Sequence, residues 1–97
     1  MDSNELIITL DAQEDLTRIY DYIKSTLFNK PAAEKLSEKF CKAFERIRDF
    51  PNSGKQHNEY RRIVIDSYLL FYKYIEERRI VAIVSVVYGA MDYDKFL

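Results

Sequence analysis

Four side chains suited to phosphate chemistry lie in or beside one predicted loop of the sequence. They are Lys55, His57, Arg61 and Arg62, and a fifth candidate, Tyr88, closes the last predicted strand. Lysine and arginine stabilise negative charge on a phosphate, whereas histidine and tyrosine can exchange protons with a reacting group. The sequence offers no other plausible set, so these residues are the candidates for catalysis.

Each of these residues also has an ordinary structural interpretation. His57 is the sole histidine, stands between Gln56 and Asn58, and is predicted to be solvated. Arg61 and Arg62 point to opposite faces if both lie in one strand, so only one can join a site while the other forms an ion pair. A tyrosine with a pKa of about 10 is a poor base at neutral pH. The residues are therefore compatible with binding as well as with catalysis.

No metal, cofactor or membrane segment is expected. One histidine and one distant cysteine, Cys41, provide no metal-ligand spacing. Cys41 lies in a predicted helix and is interpreted as a small packed or flanking residue, not as a nucleophile, and a single cysteine fits a reducing compartment. The longest apolar run, at 80–88, is too short to span a membrane, and no leader pattern opens the chain. We therefore expect a cytoplasmic protein.

The length and net charge of the chain limit the number of domains and the kinds of partner it can have. The chain has 97 residues and a net charge of −1, which indicates one domain over 1–97 and argues against binding nucleic acid by bulk attraction. Residues 1–29 carry six acidic and two basic groups, and residues 30–62 carry nine basic and five acidic groups. The basic middle could face an acidic partner, although such blocks usually form the solvated side of a helix.

Two amphipathic helices are predicted after a short first strand at 5–10. Asp11 and Glu14 form a capping pair that predicts a helix start. Apolar residues then recur every three or four positions as far as Leu27, which predicts one helix of about five turns. Pro31 suits the first turn of a second helix, which ends at a Phe-Pro-Asn-Ser-Gly segment. A junction this short predicts an antiparallel helical hairpin.

The remainder of the sequence predicts strands at 61–66, 68–75 and 80–88. The last run is apolar on both alternating faces, so it is predicted to be a central strand. The resulting order, β-α-α-β-β-β, predicts an α+β fold in which a helical hairpin packs on one face of a small, mainly antiparallel sheet. The opposite face is expected to stay uncovered and available to a partner.

Tyrosines are concentrated in the last 40 residues, and aromatic enrichment is typical of protein interfaces. By alternation along one strand, Tyr68, Leu70, Tyr72 and Tyr74 share a face, and this tyrosine face is predicted to meet the partner. The complete set of predicted target-binding residues is Lys55, Arg61, Arg62, Tyr68, Tyr72, Tyr88 and Tyr93.

Six short segments occur in a specific order: DAQEDL at 11–16, IYDYI at 19–23, FPNSG at 50–54, YRRIV at 60–64, YLLFY at 68–72 and VYGAMD at 87–92. Together they resemble the RelE/ParE superfamily, the toxins of bacterial type II toxin–antitoxin pairs. The likeness spans nearly the whole chain and favours the ParE-like branch.

The resemblance implies a growth-arresting toxin that is neutralised by an antitoxin whose flexible segment wraps over it. ParE-like members inhibit DNA gyrase by binding and are linked to plasmid stabilisation. RelE-like members instead enter the ribosome and cut messenger RNA, using basic residues and a tyrosine or histidine on the open sheet face. On that alternative, Lys55, Tyr88 and either Arg61 or Arg62 would carry the chemistry.

Two departures from the RelE-like pattern favour DNA gyrase over the ribosome as the target. Cutting members tend to carry an arginine just before the apolar pair of the strand at 68–75, whereas this chain has no basic group there until Lys73. The segment at 87–90 resembles the ParE-like Leu-His-Gly-Ala pattern, with Tyr88 replacing the histidine. The sequence thus predicts a gyrase inhibitor, with a ribosome-dependent endoribonuclease as the alternative and an inactive homologue that only binds its partner as a third possibility.

Overall fold

A computed structural model describes residues 3–89 of the chain, which form two helices and a five-stranded sheet. The strands are β1 (Glu5–Ile8), β2 (Lys55–His57), β3 (Tyr60–Ile65), β4 (Tyr68–Ile75) and β5 (Ile80–Tyr88). The helices are α1 (Leu10–Asp21), which continues as one π-helical stretch (Tyr22–Thr26), and α2 (Lys30–Asp49). The observed order, β-α-α-β-β-β-β, confirms the α+β fold with one additional strand.

The sheet has the strand order β1-β5-β4-β3-β2. β1 runs parallel to β5, and every other neighbouring pair is antiparallel. β5 therefore lies inside the sheet, which confirms the prediction made from its two apolar faces. The short strand β2 was not predicted, because its three residues are polar and carry no alternating pattern.

The first helix begins earlier than its predicted capping pair. Thr9, not Asp11, is the N-cap: its Oγ1 accepts a hydrogen bond from the Ala12 N–H at 3.3 Å. The same hydroxyl donates to the Ile83 carbonyl at 2.8 Å, so this cap also fixes the helix start against β5. Asp11 lies in the first turn, where its charge favours the positive end of the helix dipole.

The second helix begins as predicted. The Asn29 side chain accepts a hydrogen bond from the Ala32 N–H at 3.2 Å, and Pro31 occupies the first turn. Between the helices, the π-helical stretch and Phe28 replace the last regular turn expected for α1. Phe28 has a φ of 51°, in the left-handed region, so the reversal between the helices is made by a residue under backbone strain.

The core lies between the helical hairpin and one face of the sheet. A run of apolar side chains from α2 packs against inward residues of β3, β4 and β5, and α1 contributes Ala12. The buried members of this cluster are Ala12, Leu36, Phe40, Phe44, Ile47, Ile65, Leu70, Tyr72, Val81, Ile83 and Val86. Phe50, the first residue after α2, is exposed because the helix ends at Asp49.

The tyrosine face of β4 is the face that the helices cover, so its prediction as the partner-facing surface is wrong. Leu70 and Tyr72 belong to the buried core, and Tyr68 and Tyr74 pack against it. Both faces of β4 are apolar, so alternation identified which residues share a face but did not reveal which face the helices would cover.

The opposite face of the sheet is not uniformly available either. Leu69 and Phe71 alternate to that face from β4, and their exposed fractions are 1% and 0%. The expectation of an entirely uncovered reverse face is therefore wrong at its centre. We therefore expect a partner-binding surface at the ends and edges of the sheet.

Candidate functional site

The loop that carries the predicted cationic residues is fastened to the core by Tyr72. The Tyr72 hydroxyl accepts a hydrogen bond from the buried Gly54 N–H at 2.9 Å and donates one to the Pro51 carbonyl at 2.7 Å. Gly54 is buried against the ring, and a Cβ there would lie only 2.6 Å from the hydroxyl oxygen. Tyr72 therefore acts from inside the protein and does not form part of the surface, contrary to its predicted place among surface target-binding residues.

Arg61 holds the same loop from the other side. Its Nη1 donates to the Gly54 carbonyl at 2.8 Å and to the Asn52 carbonyl at 3.3 Å, and its Nη2 donates to Gln56 Oε1 at 3.4 Å. Three of the five guanidinium donors are therefore used within the protein, two on backbone carbonyls and one on a side chain. Arg61 thus positions the loop, and a phosphate would have to compete with these internal contacts for its guanidinium.

Lys55 and Arg62 are brought together on neighbouring strands. They are direct partners in the β2–β3 ladder, where paired Cα atoms lie about 5.5 Å apart in a hydrogen-bonded pair. Alternation along β3 places Arg62 on the face opposite Arg61, as predicted from the sequence. Two adjacent cations of this kind can bind an anionic group, although the pair contains no general base.

Tyr88 lies far from this cationic pair. It is paired with Tyr68 at the end of the sheet, whereas Arg62 is paired with Phe71, three residues further along β4. The strand geometry separates Tyr88 from Arg62 by about 10 Å along the strands and about 10 Å across them. Tyr88 also projects on the helix-covered face, where its ring meets Tyr68. Tyr88 and the cationic residues proposed for catalysis are therefore not assembled into one site.

A groove lined by aromatic and aliphatic side chains opens between the junction of the helices and the end of the sheet. Its volume is about 700 Å³, which lies within the range of typical ligand-binding clefts. We call it the aromatic groove, and its lining residues are Tyr22, Ile23, Leu27, Asn29, Ala32, Leu36, Asp66, Ser67, Tyr68 and Tyr88.

Tyr68 forms the floor of the aromatic groove and Tyr88 its outer wall. The two rings meet edge to face, with centroids 5.4 Å apart, and Tyr68 also meets Phe40 of the core at 5.9 Å. Burial raises the pKa of the Tyr68 hydroxyl above 10.0, with smaller contributions from Tyr88, Tyr22 and Asp66. Tyr68 therefore stays neutral at physiological pH and offers a hydroxyl hydrogen bond beside an apolar surface.

Exposed apolar side chains are concentrated around this groove. Tyr22 and Leu27 are more than half exposed, Tyr88 is 69% exposed, and Phe28, which adjoins the groove along the chain, is 90% exposed. Large exposed aromatic residues close together are typical of interaction surfaces. The strained φ of Phe28 also indicates a functional role for the aromatic groove, because such strain is concentrated at functional sites.

Sequence reasoning found Tyr68 and Tyr88 but missed the helical side of the groove. Tyr22 and Leu27 were assigned to the first helix, Leu27 within its apolar stripe, because the π-helical stretch that turns them outward leaves no periodic signal. Tyr93 lies outside the described residues. Within residues 3–89, no cluster of three or more metal-ligating side chains occurs, and none of the helices is long and apolar enough to cross a membrane.

Several solved structures share this fold over nearly their whole length. The chromosomal ParDE toxin–antitoxin system from P. aeruginosa matches with a TM-score of 0.75 and 16% identity, covering 90% of this chain and 97% of that one. The RelBE2 toxin–antitoxin complex from Mycobacterium tuberculosis matches with a TM-score of 0.62 and 18% identity, covering 90% and 99%. A mutant of the E. coli toxin RelE in the free state matches with a TM-score of 0.57 and 20% identity, covering 98% of this chain and 92% of that one.

A search of curated proteins found no match. The family described as the ParE toxin of the type II toxin–antitoxin system parDE, in contrast, matches residues 6–93, which is most of the chain. This match agrees with the resemblance identified in the sequence. The chain belongs to the ParE toxin family of type II toxin–antitoxin systems, within the RelE/ParE superfamily.

Proposed function

We propose that this toxin arrests growth by binding DNA gyrase through the aromatic groove, and that a cognate antitoxin neutralises it in the cytoplasm. The chain acts as a single domain over 1–97, without a metal or cofactor. The observation that carries the proposal is the concentration of exposed apolar residues around the groove, at a distance from the paired cations. A surface of this composition favours protein binding over chemistry on a phosphate.

The contacts of Tyr88 support binding through this groove. Its ring is held edge to face against Tyr68, which in turn packs on Phe40, so an exposed aromatic side chain is supported by the core. A side chain positioned in this way loses little conformational entropy when a partner covers it. Leu27 and Phe28 extend the same surface on the helical side.

A supercoiling assay tests the proposal. Purified toxin is incubated with DNA gyrase, ATP and relaxed plasmid, and we expect supercoiling to stop as toxin is added. Tyr88→Ala and Phe28→Ala are expected to raise the concentration for half inhibition at least tenfold. Leu10→Ala is the matched control, because Leu10 is an exposed apolar residue outside the groove. Normal supercoiling in the presence of excess wild-type toxin would refute gyrase as the target.

The alternative function, ribosome-dependent cleavage of messenger RNA, is favoured by one observation. Lys55 and Arg62 are adjacent cations on neighbouring strands, as a phosphate-binding site requires. Primer extension on messenger RNA from cells expressing the toxin tests it, since cleavage would give stops at defined codon positions. Cuts that disappear in Lys55→Ala and Arg62→Ala variants would support this alternative against gyrase inhibition.

A further inference from the structure

Within residues 3–89, one part of the sheet edge lacks a partner strand, and it lies beside a row of cations. β2 pairs with residues 60–62 of β3 and begins at Lys55. The chain before it, at Gly54, no longer runs alongside β3, so the rest of β3 has no neighbour on this side among the described residues. A groove of about 490 Å³ lies between the continuing part of β3 and helix α2. It is lined by Lys39, Lys42, Ala43, Arg46, Ser53, Ile63, Val64, Ile65 and Asp66. We call it the basic edge groove.

The backbone of Val64 faces this groove. The two-residue turn at Asp66-Ser67 makes Ile65 and Tyr68 a hydrogen-bonded pair, so Ile63 also bonds to β4 and Val64 points away from it. The pairing of β3 with β2 has the same alternation, because Tyr60 and Arg62 face β2. Val64 is therefore the next position at which β2 would pair if it were longer, and its side chain is 61% exposed.

The cations come from one stripe of α2. Lys35, Lys39, Lys42 and Arg46 are spaced by four, three and four residues, which places them on one side of the helix. Lys39 is paired with Asp66 at 3.0 Å, whereas Lys42 and Arg46 form no ion pair or side-chain hydrogen bond within residues 3–89. The groove thus contains two uncompensated positive charges toward its Ser53 end.

We propose that the basic edge groove binds an extended acidic segment of a partner protein, which continues β2 alongside β3. The segment would pair with the N–H and C=O groups of Val64, and its acidic side chains would reach Lys42 and Arg46. Alternate apolar side chains would cover Val64 on the other face. A peptide fits these observations better than a nucleic acid, because only a peptide uses the unpaired strand edge as well as the cations.

The antitoxin is the partner expected to supply this segment, and to that extent the inference rests on the proposed function. Binding of an acidic peptide tests the groove independently of gyrase. The probe is a fluorescein-labelled peptide of alternating valine and glutamate, compared with the same peptide carrying lysine for glutamate. Fluorescence anisotropy at 50 mM NaCl should show saturable binding of the glutamate peptide and at least tenfold weaker binding at 500 mM NaCl.

Charge reversal locates the binding. The double variant K42E/R46E is expected to lower the affinity for the glutamate peptide at least tenfold. K35E, on the same helix but outside the groove, should change that affinity less than twofold. Absence of peptide binding, equal loss in K35E, or tighter binding of a single-stranded oligonucleotide of the same charge would each overturn the proposal.

The complex with the antitoxin provides a second readout. The antitoxin probe is the protein encoded by the reading frame beside this gene, and amide hydrogen exchange is followed by NMR. We expect the Val64 amide to become protected in the complex and to exchange faster in the complex of K42E/R46E. If that antitoxin forms a complex while Val64 stays unprotected, the inference fails and the toxin assignment stands. If it neither binds nor neutralises the toxin, the antitoxin proposal fails, and the peptide titration still decides whether the groove binds acidic chains.

Discussion

Replacing Tyr72 with phenylalanine should separate the packing of its ring from the work of its hydroxyl. The ring fits the core in either case, but Tyr72→Phe removes the acceptor for the Gly54 N–H and the donor for the Pro51 carbonyl. The Gly54 N–H is buried, and leaving a buried group without a partner costs about 1–3 kcal/mol. The Pro51 carbonyl is closer to the surface, so its lost bond costs about 0.5–1.5 kcal/mol.

The sum predicts a destabilisation of about 1.5–4.5 kcal/mol, which corresponds to a fall in Tm of roughly 7–22 °C for a domain of this size. Urea unfolding followed by circular dichroism measures the change, provided that the slope of the free energy against urea stays the same. The loop at 51–55 should also become more sensitive to proteolysis, because its attachment to the core is lost.

Tyr74→Phe is the matched control. Tyr74 lies on the same strand and the same face, but among the described residues 3–89 its hydroxyl makes only a long contact of 3.4 Å, to Asn4. Its removal should change the free energy of unfolding by less than about 0.5 kcal/mol. If Tyr72→Phe is as stable as Tyr74→Phe, the loop is not held by the Tyr72 hydroxyl and the account of the site is wrong.

Three further perturbations test other parts of the structure. Gly54→Ala should destabilise the fold by about 1–3 kcal/mol in urea unfolding, because the new Cβ would lie 2.6 Å from the hydroxyl of Tyr72. Asp15→Ala should cost about 1–3 kcal/mol in the same assay, because the Asp15 carboxylate accepts the Val86 N–H at 3.0 Å beside the irregularity between β4 and β5. The raised pKa of Tyr68 predicts that the folded state holds this proton more tightly than the unfolded state, so stability should fall as pH rises above 10 and fall less in Tyr68→Phe.

Each of these perturbations has a control nearby. Ser53→Ala adds no bulk in the exposed loop, Asp21→Ala removes an exposed carboxylate of the same helix, and Tyr88→Phe removes an exposed hydroxyl. All three should unfold within about 0.5 kcal/mol of the wild type. A stability curve for Tyr68→Phe that parallels the wild type between pH 9 and 11 would contradict the proposed effect of burial on Tyr68.

The sequence was sufficient to predict the fold class and the central strand, because both depend on periodicity. It could not predict the covered face of β4, where Tyr72 and Phe71 occupy opposite faces and are both fully buried. The helix start was misassigned for a related reason. Asp11 and Glu14 satisfy a local capping pattern, but Thr9 can bond to β5 as well as to the helix, and that second contact is tertiary.

The candidate site was harder to predict than the fold, because residues distant in sequence form it. Tyr22 and Leu27 reach Tyr68 and Tyr88 only through the π-helical stretch and the tight return into α2. The cationic residues Lys55, Arg61 and Arg62, in contrast, are close together in the sequence but do not form one cluster in the structure. Arg61 turns inward to hold the loop, whereas Lys55 and Arg62 pair on the other face.

The conformation of Phe28 links stability to function. A left-handed φ at a residue other than glycine costs about 1–3 kcal/mol, and exposing a phenylalanine forgoes about 1.5–3 kcal/mol of burial. Neither cost benefits the core, which is complete without this residue. The same backbone position would accommodate glycine without strain. A binding surface accounts for both costs, because a partner that covers Phe28 recovers the burial beside the exposed side chains of Leu27 and Tyr22. The toxin is therefore expected to gain stability and lose inhibition together when this position becomes glycine.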